Sequence, residues 1–470
     1  MKKINEIIDC KYDFFISGVS DDSRKVKSGF LFVATKGFYV DHFNYIDDAV
    51  EKGAVCVVAD RWCDCSVPLI IVNNINDIYV DICSKFFDVK TSDFNFIGIT
   101  GTDGKTTTAT IVSRLLDELN KCAYIGTNGL VVDDKKYSTD NTTPCVSELF
   151  YDLSIVKSFG CKEVVMEVSS EALLHDRVNR FLFDIVGFTN ITEDHLNIHG
   201  NIENYISSKF KLLNLLKPDG VVVVNGDDDI CRNIDMSNVY TFGFNSVNDF
   251  VIFDVKEQSC YVEFSIGYKD SIFKIVSPFL GKYNIYNVTM AFVICFLKGV
   301  DSEFLISSIK NLSSISGRGE MLDFGQDYDI ILDYAHTFNG IKNILDRVSN
   351  YKNIIVVTGA AGGRDKEKRP KIGKLILDNS NICIFTMDDP RYEDVDDIID
   401  QIVSFTDKKY MWIIDRRKAI FKALSLASSN SVVLILGKGR DDYMVVGDTK
   451  EKYCDYDVIF EYFNSVYKDI

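Results

Sequence analysis

The sequence predicts an α/β protein of three domains whose central sheet is mostly parallel. Three observations lead there. Short apolar runs rich in Val, Ile and Phe recur and end in small polar residues: Phe94–Thr100, Val164–Ser169, Asp184–Asn190, Val221–Asn225, Ile330–Asp333, Ile354–Thr358, Ile382–Asp388 and Val432–Gly437. Amphipathic segments lie between several of them; in Thr107–Asn120, the residues Ile111, Val112, Leu115, Leu116 and Leu119 share one helical face. Buried strands alternating with helices imply largely parallel sheets. Finally, 470 residues correspond to about three domains at roughly 150 residues each.

A polar stretch, Asp88–Asn95, and a Ser-rich stretch, Asn311–Gly317, divide the chain into 1–92, 93–314 and 315–470. The acidic run Glu393–Asp400 reads as a solvated first helical turn. Ligands of parallel sheets sit beyond the carboxyl ends of the strands. The polar residues that end the runs are therefore where chemistry is expected.

Composition excludes several classes. Hydrophobic residues make up 46% and charged residues 26%, which excludes a mostly disordered chain. No apolar stretch reaches the ~18 residues of a transmembrane helix, and no apolar segment follows Lys2 and Lys3 as in a signal peptide. The 13 cysteines follow no repeating frame and read as reduced thiols in a cytoplasm. Cys63 and Cys65 lack the second pair a zinc site requires. The net charge of −17 argues against nucleic acid as a partner, but not against a phosphorylated ligand held by local cations.

One loop has such cations. In Gly98-Ile99-Thr100-Gly101-Thr102-Asp103-Gly104-Lys105-Thr106-Thr107 a strand enters, two glycines let the backbone wrap closely, and a helix begins at Lys105. Backbone N–H groups and the helix N-terminus can cradle phosphate oxygens. Lys105 would reach the β/γ-phosphates of ATP and the Thr106 hydroxyl would ligate Mg²⁺. Ile99 stands at the first Gly position of the strict pattern, so this is a P-loop-type element with a shifted glycine.

The loop resembles that of the Mur ligases, T-G-T-N-G-K-T, with Asp103 in place of Asn. Other blocks follow in the same order: Asp22–Gly29 with Leu31–Ala34, Asn141–Pro144, Met166–Ser170, Arg177-Val178 and Thr189-Asn190 with Asp194–Gly200. Asn204-Tyr205 with Lys209, Gly281 with Asn284 and Asn287, Gly317–Glu320, Asp333–Thr337, Gly363–Pro370, Asp388–Arg391 and Gly437–Gly439 complete the set, which spans roughly residues 20–450. The closest resemblance is to the branch that adds a diamino acid to a UDP-muramoyl-dipeptide.

The resemblance implies a uridine-binding N-terminal domain, an ATP-binding central domain and a Rossmann-like C-terminal domain. It implies that Gly101, Thr102, Asp103, Gly104, Lys105, Thr106, Thr107, Asn287, Arg318 and Asp333 face ATP. Ser23, Asn141, Thr142, Thr143, Ser169, His175 and Arg177 would face the UDP-muramoyl-dipeptide. Arg364, Asp388, Asp389, Pro390, Arg391, Gly437 and Asp441 would face the diamino acid. Thr106 and Glu167 would serve one Mg²⁺, and His195 a second. An ammonium beside Mg²⁺ would be repelled, so Lys209 is expected as a carbamate, whose formation requires a neutral amine. Lys105, Glu167, His195 and Lys209 are thus the expected catalytic group. The expected reaction joins an amine to the D-glutamyl γ-carboxylate through an acyl phosphate, in a cytoplasmic monomer.

Some positions depart from the usual pattern. His175 stands for Gln, Glu171 for His, Phe338-Asn339 for Pro-Asp and Asp389 for Asn; Gly437–Asp442 reads G-K-G-R-D-D for G-K-G-H-E-D. Arg391 favours meso-diaminopimelate over L-lysine, because a guanidinium fork matches a distal carboxylate. The carboxylate of Asp441 reaches about 1.5 Å less far than the usual Glu, which keeps another amino acid or acceptor open. A catalytically silent nucleotide-binding scaffold is the non-enzymatic alternative; the presence of all five residues Lys105, Thr106, Glu167, His195 and Lys209 counts against it.

Overall fold

Among the described residues, three sheets of four or more strands carry the chain, beside two two-stranded ones. The computed structural model describes residues 1–37, 40–405 and 407–467. Nearest the N-terminus, four parallel strands pair in the order Gly18–Ser20, Phe30–Val33, Ala54–Ala59 and Leu69–Ile71. The helix Ile75–Phe87 follows, capped by Asn74, whose side chain accepts from the Asp77 N–H, and ended by Asp88 in the left-handed region at φ 56°. Its buried face merges with that of the helix Val146–Ser158 in one apolar core running from Ile4 to Ile234. The polar stretch Asp88–Asn95 thus crosses between sheets over a shared core.

The central sheet has eleven strands. The strand Asn95–Thr100 lies parallel between Glu163–Glu167 and Phe183–Phe188. Parallel pairing continues outward through Leu216–Asn225, Val239–Gly243 and Phe250–Glu257. Both margins are antiparallel: Gly129–Val132 and Lys135–Tyr137 at one side, Val262–Tyr268 and Ser271–Ser277 at the other. The C-terminal sheet has six strands, five of them parallel, with Glu320–Leu322 antiparallel at one edge. Each of its faces is buried under its own core.

The elements follow the expected runs, with shorter ends where side chains cap. The run Val164–Ser169 leaves the sheet after Glu167 because the Ser169 hydroxyl accepts from Ala172 N–H at 3.1 Å and starts the helix Ser170–Leu174. The run Ile382–Asp388 ends at Phe385. The helix expected over 107–120 covers Lys105–Asp117, with Ile111, Val112, Leu115 and Leu116 buried. Leu119 does not join that face. It lies beyond the last helical turn and is 45% exposed. All thirteen cysteines are free thiols, and no helix among the described residues is long and apolar enough to cross a membrane.

Candidate active site

A cleft of about 2510 Å³ opens along the carboxyl ends of the central and C-terminal sheets. The loop 101–107 forms one wall, with Gly101 just behind the lining residues. Gly101 and Gly104 have φ of +144° and +84°, a conformation that side chains rarely adopt. A Cβ on Gly101 would strike the Thr189 hydroxyl, and one on Gly104 the Asn287 amide. The loop is held from the neighbouring strand end: Thr189 Oγ1 and Asn190 Nδ2 donate to Asp103 O at 2.6 and 3.0 Å, and Asp103 N–H donates to Asn190 Oδ1 at 3.0 Å. Lys105 Nζ folds over the loop and donates to Gly101 O and Thr102 O at 3.0 and 2.8 Å. Thr102, Asp103, Gly104, Lys105, Thr106 and Thr107 line the cleft, as do Asn287, Arg318 and Asp333.

Glu167 is fully buried at the end of the adjacent strand. It accepts from Tyr124 OH, from Thr127 N–H at 3.0 Å and from Thr106 Oγ1 at 2.9 Å. Arg318 Nη2 donates to the same Thr106 oxygen at 2.8 Å. A hydroxyl and a carboxylate oxygen side by side at a phosphate loop form a hard donor set suited to Mg²⁺. Among the described residues, no three His, Cys, Asp or Glu side chains converge on a further metal position.

His195 stands across the loop in the left-handed region at φ 55°. Its Nε2 lies 3.4 Å from Asp194 Oδ2 and its Nδ1 lies 3.7 Å from Glu171 Oε1. Burial pushes the imidazole down to about 3 against the pull of Asp194, leaving a neutral ring with a lone pair for a ligand. Burial opposes ionisation of Asp194, yet His195 and Lys368 more than offset it and hold the carboxyl below its ordinary range. Lys209 does not line the cleft. It is 1% exposed beneath the loop, with Nζ donating to Gly101 O at 2.7 Å. Burial, and then Lys105, push its ammonium well below the ordinary lysine value.

The C-terminal sheet supplies the opposite wall. Arg364, Asp388, Asp389, Arg391, Gly437 and Asp441 all reach the cleft, whereas Pro390 does not. Asp389 and Arg391 are left-handed at φ 42° and 54°. A hairpin, Tyr443–Val446 with Thr449–Lys452, holds them there. Arg391 N–H donates to Val445 O at 3.1 Å, and Val445 N–H donates to Asp389 Oδ1 at 2.9 Å. Asp441 accepts from Tyr334 OH at 2.8 Å. Burial pushes the Asp388 and Asp441 carboxyls up; Arg416 and then Lys438 pull Asp388 back, and Lys438 pulls Asp441 back.

On the third side, Asn141, Thr142, Ser169 and Arg177 line the cleft. Thr143 is buried behind them; its hydroxyl donates to Glu167 O at 2.8 Å, and Arg177 Nη1 donates to Thr143 O at 3.0 Å. Ser23 and His175 lie outside the cleft lining, Ser23 in the N-terminal region and His175 at the end of the helix Ser170–Leu174.

Several side chains were not anticipated. Tyr124 and Thr127 orient Glu167, and Lys368 pairs with Asp194 at 3.0 Å. In the cationic segment 364–374, Lys366, Lys371 and Lys374 are exposed at 59–63% of their side chains. Lys368 instead crosses to the central sheet, and Arg369 is 1% exposed, bound to Glu393 at 2.9 Å. The acidic run that begins at Glu393 is therefore part ion pair and part solvated turn.

This architecture has close relatives. Residues 15–80 match the Mur ligase family, catalytic domain; 99–295 the Mur ligase middle domain; and 317–439 the Mur ligase, glutamate ligase domain. The chain is 33% identical to the UDP-N-acetylmuramoyl-L-alanyl-D-glutamate–2,6-diaminopimelate ligase of Bacillus cereus, with 98% of each chain covered. It is 35% identical to the ligase of that name from Caldanaerobacter subterraneus, with 92% of each covered. A solved structure of a ligase of that name aligns at a TM-score of 0.65 and 25% identity over 99% of both chains. The MurF ligase of Thermotoga maritima shares the fold at a TM-score of 0.65 and 19% identity, over 96% of this chain and 98% of that one. Matched in all three regions and over nearly its whole length, the chain belongs to the Mur ligase family.

Proposed function

We propose that this chain is an ATP-dependent amide ligase that adds a diamino acid, meso-diaminopimelate in preference to L-lysine, to UDP-MurNAc-L-Ala-D-Glu. The observation that carries the reading is one cleft with a phosphate loop at Lys105 on one wall and Arg391 on the other. The γ-phosphoryl of ATP would pass to the D-glutamyl γ-carboxylate, and the incoming amine would then displace phosphate. Both steps gather negative charge, so fixed cations and N–H donors at the loop supply most of the catalysis. Lys105 is the cation within the loop itself, and Arg318 reaches the loop from the C-terminal side.

Thr106 and Glu167 would hold one Mg²⁺, and His195 with a carbamylated Lys209 a second. Bound there, Mg²⁺ would neutralise phosphate charge. The burial of Lys209 supports carbamylation, because it favours the neutral amine from which a carbamate forms. Ser23, Asn141, Thr142, Thr143, Ser169, His175 and Arg177 belong to the nucleotide-sugar side by this reading. Arg364, Asp388, Asp389, Pro390, Arg391, Gly437 and Asp441 belong to the amino-acid side.

A second reading, ligation of another amino acid or acceptor, draws on the shortened Asp441, whose carboxylate is already engaged by Tyr334. The test is ATP-dependent phosphate release with the UDP-muramoyl-dipeptide and a panel of amino acids. Turnover with diaminopimelate above all others is the expected result. Preference for a different amino acid, or no release with this acceptor, would select the second reading.

A further inference from the structure

Arg440 stands where the family has a histidine, and its surroundings give it work that a histidine could not do in the same way. Its guanidinium binds Glu320 with two parallel hydrogen bonds, Nε to Oε2 at 2.9 Å and Nη2 to Oε1 at 2.5 Å. Its other face lies 3.5 Å from the ring centroid of Tyr456, on the C-terminal helix. Glu320 is buried and accepts at the same Oε2 from Gly317 N–H at 2.7 Å. One carboxylate thus joins the amino-acid loop 437–442 to the segment 317–320 at the junction of the central and C-terminal sheets.

Tyr334 sits inside that joint. Its N–H donates to Gly317 O at 3.0 Å, and a Cβ on Gly317 or Gly439 would strike its ring. The Tyr334 hydroxyl donates to Asp441 at 2.8 Å, while the Arg318 guanidinium lies 4.5 Å from the ring centroid. Arg318 in turn reaches Thr106 in the phosphate loop at 2.8 Å. If the loop 437–442 moved away from Gly317, the Tyr334 ring would lose its packing against both glycines, and Asp441 its fixed place.

We infer that Arg440 is a positioning residue: its pair with Glu320 clamps the amino-acid loop so that Tyr334 sets Asp441 and Arg318 together. The inference rests on the reading that this loop faces the amino acid. An unclamped loop costs amino-acid binding first, because Asp441 is carried on it, and a displacement of about 1 Å can also lose about a hundredfold in rate.

Arg440→Met keeps most of the apolar stem of the side chain and removes the guanidinium fork. It should raise KM for the amino acid about tenfold or more, change KM for the UDP-muramoyl-dipeptide less than about twofold, and speed hydrogen exchange at the 439–442 amides. Glu320→Gln should do the same, with the double variant no worse than either single one. Arg440→Lys, the milder change, should keep part of the wild-type behaviour. The exchange measurement needs no substrate, so it tests the clamp even if the wild type turns over none of the expected substrates, a result that would sink the proposed function alone. Unchanged exchange in Arg440→Met, or additive losses in the double variant, would overturn the clamp.

Discussion

Lys438 Nζ lies 2.8 Å from Asp389 Oδ1 and 3.5 Å from Asp441 Oδ2, with Lys438 itself 1% exposed. The extra carboxylate at 389 is therefore occupied by Lys438 and by Val445 N–H, and no carboxylate among the described residues pairs with Arg391. Arg391 Nε is buried with no hydrogen-bond partner. A buried donor left unpaired is costly, and a distal carboxylate on the incoming amino acid would satisfy it.

That relationship predicts selectivity. Charge-assisted hydrogen bonds contribute roughly 1.5–3 kcal/mol, so kcat/KM for meso-diaminopimelate should exceed that for L-lysine by about tenfold to a hundredfold. Arg391→Ala should erase the difference, mostly by weakening diaminopimelate. Asp389→Asn should leave the preference in place, because Asp389 faces Lys438. A wild type that prefers L-lysine would remove Arg391 from the role.

Lys105→Ala should abolish ATP turnover while leaving the melting temperature within a few degrees. Its ammonium donates to Gly101 O and Thr102 O in its own loop, so the fold loses little when it is removed. Phosphate release near the wild-type rate would show that phosphate binds elsewhere.

The sheets and the phosphate loop were legible because local chemistry writes them into consecutive residues. Gly101 and Gly104 occupy positions whose φ side chains rarely adopt, and the strands ending at Glu167, Asn225, Asp333 and Thr358 each place that polar residue at the cleft. The partners of those residues were not legible. Lys368 lies 174 positions from Asp194, and Arg440 lies 120 from Glu320. Such pairs leave no periodicity to detect. Lys209 by itself reads as a surface lysine; its place under the loop, against the Tyr205 ring and Gly101 O, makes it a buried one. Family resemblance pointed to Lys209, and the fold supplies the physical reason.

Activity should depend on bicarbonate if Lys209 is carbamylated. Depleting dissolved CO₂ should lower kcat, adding bicarbonate should restore it, and Lys209→Met should be inactive under both conditions. High-resolution density for the nucleotide-bound enzyme offers a direct check. An unmodified amine at Lys209 in an active crystal would exclude the carbamate.

Asp152 gives a prediction about stability that involves none of these residues. It lies 3% exposed in the helix Val146–Ser158, with Oδ2 lacking a hydrogen-bond partner. Burial, and secondarily Glu148, push its carboxyl up to about 8. In the unfolded chain an aspartate ionises near ~3.9. Between those two values the folded chain keeps a proton that the unfolded chain releases, so stability from this group is fully present below about pH 4 and is lost as pH rises through about 8. Asp152→Asn removes the titration and keeps a neutral side chain of the same shape. The variant should match the wild type near pH 4 and exceed it progressively from there to about pH 8, by at most roughly 1.4 kcal/mol per pH unit. Denaturant unfolding of both proteins at the two pH values measures it. Equal stability at pH 8 would mean that Asp152 ionises without penalty, and that water or a shift of the helix reaches its carboxylate.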